Sequence, residues 1–296
     1  MTHHLVPTIL PGGHPPLDIA ISGSTEILVA SQTGLFVPDE TRDGWRDLLA
    51  NALPDTDLVP TAVTVTASGR IITGVIGGVV VSDDRGASWR AIPFRTPAPT
   101  ISALVPLPDQ SILLAATLED GVFLSEDNGD HWTAWNFGLF DRCVLDLSLS
   151  RNVVVDHSVL ALTGSGCFLS RNTGKTWHDV SIPSGASEFT ATYATGTGWL
   201  VASAEGVVYS VDSTGTFDPI PVATLNTEIV AFLPRDETSI IAVTVSGAVI
   251  SIDTRGLSSH LSSGTSRDDA FVTCATLLPG SIVLGWSGGG VTSLDL

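Results

Sequence analysis

The chain has 296 residues, 43% of them apolar and only 15% charged, with 31 Asp plus Glu against 13 Lys plus Arg for a formal net charge of −18. So much apolar material is ample for one large core, and so negative a field repels phosphate backbones. Nucleic acid is therefore excluded as a partner, and a soluble acidic surface is the plain reading.

No run approaches the ~18 uninterrupted apolar residues of a membrane span. The opening stretch, MTHHLVPTILPGGHPP, has neither a basic n-region nor a long apolar h-region, so the expectation is a cytoplasmic protein without membrane insertion. The three cysteines, Cys143, Cys167 and Cys274, lie in or beside apolar runs without C-x-x-C or Cys/His spacing. They read as buried free thiols, and neither a metal nor another cofactor is expected.

In chain order, the first apolar run is Leu5 to Leu10 (LVPTIL), which belongs to no unit of its own. Thereafter three apolar runs recur. DIAIS, ILVAS and LFV open the series; AVTVTA, IITGV and VVV follow, and the pattern continues to FVTCATL, SIVLGW and VTSL. The glycine before each third run falls at Gly34, Gly78, Gly121, Gly166, Gly206, Gly247 and Gly290, in steps of 44, 43, 45, 40, 41 and 43. Seven units of three runs, with a fourth run such as WRAIPF, WTAWNF or WHDVSI where a Trp follows, carry the strand content of propeller blades. Runs apolar at nearly every residue suit sheets stacked on both faces.

The predicted fold is therefore all-β: one seven-bladed β-propeller of four-stranded antiparallel blades over residues 1–296. The last unit ends after its third run, which would leave an open strand edge. Residues 5–10 are expected to pair with the blade at 270–296 as its outer strand, where Pro7 is tolerated because one side is free. Trp45 to Leu53 (WRDLLANAL) is the best helix candidate, one or two turns replacing a regular outer strand.

Three units carry a motif between third and fourth runs: Ser82, Asp84, Gly86 and Trp89 in SDDRGASW; Ser125, Asp127, Gly129 and Trp132 in SEDNGDHW; Ser170, Asn172, Gly174 and Trp177 in SRNTGKTW. The Asp or Asn accepts backbone N–H bonds from the residues just after it, and the glycine supplies a positive φ. The Trp begins the next strand as a wedge between sheets. The motif decays elsewhere: VPDETRDGW lengthens the turn, SVDSTGTF ends in Phe217, and SIDTRGLS keeps Ser251, Asp253 and Gly256 without an aromatic.

This motif resembles the Asp box, or BNR repeat, of sialidase-like and related β-propellers. That resemblance implies a structural turn remote from any catalytic centre. At the level of repeat architecture the chain is also similar to Ycf48-like photosystem assembly factors, which implies a non-catalytic protein-interaction or assembly scaffold with a protein partner, working alone or within a larger assembly. Those factors share a basic patch that this acidic chain lacks.

The alternative is a glycan-active hydrolase. A sialidase resemblance would imply an arginine triad and a glutamate-activated tyrosine. The two tyrosines here, Tyr193 and Tyr209, lie within strand runs, and the arginines are scattered. A two-carboxylate glycosidase needs its acids roughly 5–10 Å apart, and Glu119, Asp120 and Asp141 are the candidates, in a turn and the next connection. Against catalysis stand the short turns between second and third runs (SQTG, VIGG, TLEDG, TGSG, SAEG, TVSG, WSGGG), which offer little material for a cleft. Trp286, beside the last of these, is a candidate contact for a ligand or partner, with core packing as the competing role.

Overall fold

Short apolar runs separated by glycine-bearing turns produce one antiparallel hairpin after another, because a two-to-four-residue turn returns the chain alongside itself. The structure is a computed structural model. It describes residues 9–23, 26–39, 44–50, 52, 58–94, 99–108, 111–183, 186, 188–218, 220–236, 238–253, 258–263 and 270–296, with the backbone alone over 258–263.

The first sheet holds β1 (Pro16–Ser22), β2 (Glu26–Ser31), β3 (Gly34–Pro38) and β4 (Trp45–Asp47), and the second β5 (Pro60–Val65), β6 (Ile71–Val75), β7 (Gly78–Ser82) and β8 (Arg90–Pro93). The third has β9 (Ile101–Pro106), β10 (Leu113–Thr117), β11 (Gly121–Ser125) and β12 (Thr133–Ala134). In the fourth, β13 (Val144–Leu149) is followed by a single helical turn, α1 (Val153–Asp156), then β14 (Val159–Thr163), β15 (Gly166–Ser170) and β16 (His178–Val180). The fifth is β17 (Phe189–Ala194), β18 (Gly198–Ser203), β19 (Val207–Asp212) and β20 (Ala223–Thr224); the sixth is β21 (Ile229–Pro234), β22 (Ser239–Thr244), β23 (Ala248–Asp253) and β24 (Ser258–Ser263). The seventh, with three strands among the described residues, is β25 (Val272–Leu278), β26 (Ser281–Trp286) and β27 (Val291–Asp295).

Strand order within each sheet follows the sequence, and the innermost strands β1, β5, β9, β13, β17, β21 and β25 each neighbour the next, with β25 returning to β1. The result is the expected seven-bladed β-propeller. Its core is a ring of seams. Seven apolar clusters each draw on two adjacent sheets. The second and third strands of sheets two, three and four, covered on both faces, are buried at every residue.

The three repeated turns share one bonding scheme. The hydroxyls of Ser82, Ser125 and Ser170 each accept the N–H of the motif glycine at 2.8 Å and donate to the Asp or Asn two residues on at 2.8–3.0 Å. The same side-chain oxygen, Oδ1 of Asp84, Asp127 and Asn172, accepts the N–H of Ser88, His131 and Thr176 at 2.8 Å. The expectation gave positive φ to the glycine alone. In the structure the preceding residue shares it, with Arg85, Asn128 and Thr173 at φ 59°, 61° and 59° before glycines at 85°, 92° and 80°. Two successive positive φ values are the signature of a type I′ turn, the form that matches strand twist. A Cβ on Gly86, Gly129 or Gly174 would press within 2.9–3.0 Å of Leu48, Ile72 or Leu114 of the preceding sheet, so glycine also permits the close approach of blades.

Trp89 and Trp177 are buried in the seams between sheets one and two and between three and four, and their Nε1 atoms donate to Leu48 O and Trp135 O at 3.0 Å. Trp132 is half-buried against the seam between sheets two and three. In the fifth sheet Phe217 takes the corresponding seat, 7% exposed and stacked on Phe189 at 5.8 Å.

Two details depart from expectation. Trp45–Asp47 is a strand rather than a helix, and Leu48 and Leu49 just after it are buried in the neighbouring seam, while Asn51 and Leu53 of the expected helix lie outside the described residues. The fourth strands β12 and β20 have two residues each, shorter than WTAWNF suggested.

At the closing seam, Leu10 is 1% exposed among Ile19, Val29 and Phe36 of sheet one and Val283 and Val291 of sheet seven. Its N–H donates to Gly289 O at 2.9 Å, and Ile9 forms an antiparallel bridge with Gly290. Residues 5–8 of the expected closing strand lie outside the described residues.

Candidate functional site

Alternating strand directions sort the turns onto two faces. On one, the first-to-second turns meet the repeated turns, as in Thr173 N to His157 O at 2.8 Å. On the other, the second-to-third turns meet the connections between sheets, as in Gly121 N to Arg142 O at 3.1 Å and Val245 N to Glu228 O at 2.9 Å.

The turn face is stapled by its basic side chains. Arg70, its side chain 11% exposed, bonds Asp83 in the repeated turn of its own sheet at 2.6 Å and Asp130 and Asn128 O in that of the next sheet at 2.8 Å. Arg90 also reaches Asp130, Lys175 reaches Glu126 at 2.8 Å, and Arg171 donates to Thr214 O at 2.9 Å. Arg151 donates to Tyr193 Oη at 2.9 Å, outside any sialidase-like grouping. Arg70 and Arg90 share Asp130, while Arg151, Arg171 and Lys175 each reach a different partner on a neighbouring sheet, so no three arginines gather on one anion among the described residues.

On the connection face, the structure places Glu119 with its two oxygens on Thr100 N and Thr100 Oγ1, at 2.8 and 3.1 Å. Asp141 accepts Cys143 N at 2.9 Å and Ser165 N at 2.7 Å. Partial burial raises its pKa, but these N–H groups and the hydroxyls of Ser165 and Thr163 outweigh it and hold the carboxyl below its ordinary range. Asp120 packs against Asn136, whose Nδ2 donates to Asp120 O at 2.8 Å. The turn and the connection are thus neighbours, but Asp141 spends both oxygens on backbone N–H groups and Glu119 spends one on the N–H and one on the hydroxyl of Thr100, while Asp120 Oδ2 is buried without a hydrogen-bond partner. Trp286 is 4% exposed, lies across Gly247 and donates to Thr292 Oγ1 at 2.8 Å, so its ring belongs to the seam between sheets six and seven.

Sequence reasoning did not anticipate the polar groups at the axis. A cavity of about 400 Å³ is walled by β1, β5, β9 and β13, with Asp18, Thr64, Ser102 and Asp146 among its lining. Each innermost strand has a bulge at its second residue, which brings Asp18, Ala62, Ala103, Asp146, Ala191, Ala231 and Cys274 to equivalent positions. Asp18 bridges two sheets, accepting Ile19 N and Val63 N at 2.8 Å; Asp146 accepts Leu147 N at 2.8 Å. Burial pushes Asp18 up to about 6 against the pull of those two N–H groups. Burial likewise lifts Asp146 to about 6, opposed by Leu147 N–H and aided by the charge of Asp18. The signal was present in the sequence as LDIAIS and LDLSLS, a lone aspartate at the same place in two inner runs. Among the described residues no three His, Cys, Asp or Glu side chains gather as a metal ion would require, and no helix is long and apolar enough to cross a membrane.

No protein-family model and no curated protein matches this sequence. Solved structures do match in fold. "YCF48 bound to D1 peptide" is 12% identical with a TM-score of 0.74, covering 100% of this chain and 97% of that one. YCF48 from Cyanidioschyzon merolae is 13% identical with a TM-score of 0.71, covering 98% of each chain. Virginiamycin B lyase from Staphylococcus aureus, 9% identical, has a TM-score of 0.77 and covers 98% of this chain and 97% of its own. The fold is common to a peptide-bound protein and a lyase, so it does not by itself choose between binding and catalysis.

Proposed function

We propose that this chain is a non-catalytic protein-interaction or assembly scaffold, a rigid disc in which the three repeated turns are structural fastenings of the Asp-box type. The observation that carries this reading is the employment of the charged side chains. Of the three candidate acids, Glu119 and Asp141 have both oxygens engaged within the connection face, and the arginines that a sialidase would gather are distributed as staples on the other. The short turns of the connection face supply no lid. A peptide-bound propeller of the same fold is consistent with the reading.

The test is co-purification of the chain with stoichiometric partners from its native source, alongside a glycan-hydrolysis panel run on the parent and on an Asp120→Asn/Asp141→Asn variant. A partner at fixed ratio with no turnover supports the scaffold. Turnover that the variant abolishes replaces it with the two-carboxylate glycosidase.

A further inference from the structure

The connection from the third sheet to the fourth presents aromatic side chains outward. Phe137 and Phe140 are 80% and 87% exposed, with Trp135 beside them and Leu118 on the adjoining turn each more than a third exposed. Elsewhere among the described residues, Ile9, Ile76, Leu145, Ile220, Phe271 and Leu296 are exposed singly and Val154 and Val155 as an aliphatic pair, none of them a group of aromatics. A clustered set of bare aromatics is the kind of surface that marks a docking site.

The backbone beneath these rings is fixed at several points. Trp135 N donates to Val122 O and Trp177 N to Phe137 O, both at 2.9 Å, while Trp177 Nε1 closes on Trp135 O at 3.0 Å. The Asn136 side chain ties the segment to Val122 N and Asp120 O at 2.8 Å, and buried Leu139 anchors it between the two phenylalanines. Rings held on a rigid backbone lose little freedom on binding, as in interface hot spots.

The electrostatics select the occupant. A second copy of a chain with net charge −18 is repelled, whereas a basic segment is attracted. Glu119, Asp120 and Asp141 flank the aromatics, with Arg142 the cation in the same stretch. Lys175 already lies 6.0 Å over the Trp135 ring, an intramolecular example of the cation-on-aromatic contact that a basic partner would repeat.

We propose that the aromatic rim Trp135–Phe140 docks a partner through a basic segment, one that sets an aromatic or leucine side chain among lysines and arginines. The inference rests on the protein-binding reading above.

Its test is selection of a phage-displayed random peptide library on the purified chain, followed by fluorescence anisotropy of the labelled winners. The expected winners are basic peptides with an apolar anchor. Phe137→Ser/Phe140→Ser should weaken them about tenfold or more, added salt should weaken them further, and Phe271→Ser should leave them unchanged. The two exposed serines should not alter the melting curve. Winners that bind the double variant equally well overturn this surface while leaving the protein-binding reading intact, and acidic winners overturn the proposed partner. Failure to enrich any peptide counts against both. Sedimentation showing dimers of the parent that the double variant dissolves would assign the rim to a second copy and overturn the proposal.

Discussion

The repeated turns and the closing seam both hold one sheet against its neighbour, but with opposite kinds of information. At Ser170–Trp177, serine, asparagine, glycine and tryptophan lie within eight residues, and the side-chain bonds that shape the turn run between residues two to four apart. At the seam between sheets seven and one, Leu10 meets Val283 and Val291 from the other end of the chain. The axis belongs with the seam, since Asp18 bonds Val63 of the next sheet and its charge acts on Asp146 of the fourth. The periphery is thus specified locally, while the axis and the seam exist only once the ring has closed and must outweigh the entropy of joining distant segments.

The largest expected effect comes from breaking the long-range half of that comparison. Deleting residues 1–11 removes Leu10 and the segment proposed to cover β27, and the melting temperature of the whole domain should fall by about 10 °C or more. A truncated chain that melts like the parent would mean that sheet seven holds itself.

The local half is tested by Trp177→Ala, which empties a buried wedge and orphans Trp135 O. Chemical denaturation should report a loss of about 3–5 kcal/mol. A loss below about 1 kcal/mol would show that the wedge is dispensable.

The axis gives an effect of the opposite sign. The folded-state pKa of Asp146 is raised from 3.8 to about 6, so the folded protein keeps a proton there that the unfolded chain has lost. The stability this contributes is fully present below about pH 4 and is lost as pH rises through about 6. Asp146→Asn keeps an acceptor for Leu147 N and removes the buried charge, so it should stabilise the protein at pH 7.5 by about 1–3 kcal/mol and flatten the stability profile between pH 4 and 6. Destabilisation at pH 7.5 would contradict the assignment. Asp84 runs the other way: bonds from the Ser88 hydroxyl and N–H and the Ser82 hydroxyl hold it down to about 2, so its contribution is present above the ordinary carboxylate range and fades as pH drops through about 2.

The smallest effect is Ser82→Ala, which removes one acceptor for Gly86 N and one donor to Asp84. A loss of about 1–2 kcal/mol is expected, confined in hydrogen exchange to the turn around residues 82–89. Spread of that loss to the far side of the ring would show that the turns are less local than their bonding suggests.

The same division governs what was legible in the sequence. The seven units could be read because Gly34 through Gly290 recur at nearly constant spacing, and the turns because their bonding partners lie two to four residues apart. The positive φ of Arg85, Asn128 and Thr173 was missed because none of them is glycine; the geometry is imposed by the bonds around them. The segment Trp45–Leu53 was the best helix candidate, but Trp45–Asp47 pairs with β3 and Leu48 and Leu49 are buried against the next sheet. Asp18 and Asp146 went unnoticed because an isolated aspartate in an apolar run gains meaning only when a bulge turns it toward a channel that two distant strands share. Phe137 read as part of the fourth run WTAWNF, and only the short β12 leaves it outside the sheet, while Phe140 drew no reading at all.

Ring closure is tested most directly by amide hydrogen exchange on the intact chain, followed by mass spectrometry of peptides covering residues 1–12 and 287–296. The account predicts that amides of residues 5–10 and of β27 are protected to a similar degree as those of β26, because an outer strand shields them on the last sheet. Free exchange throughout residues 5–10, with β27 exchanging as an open edge, would contradict it.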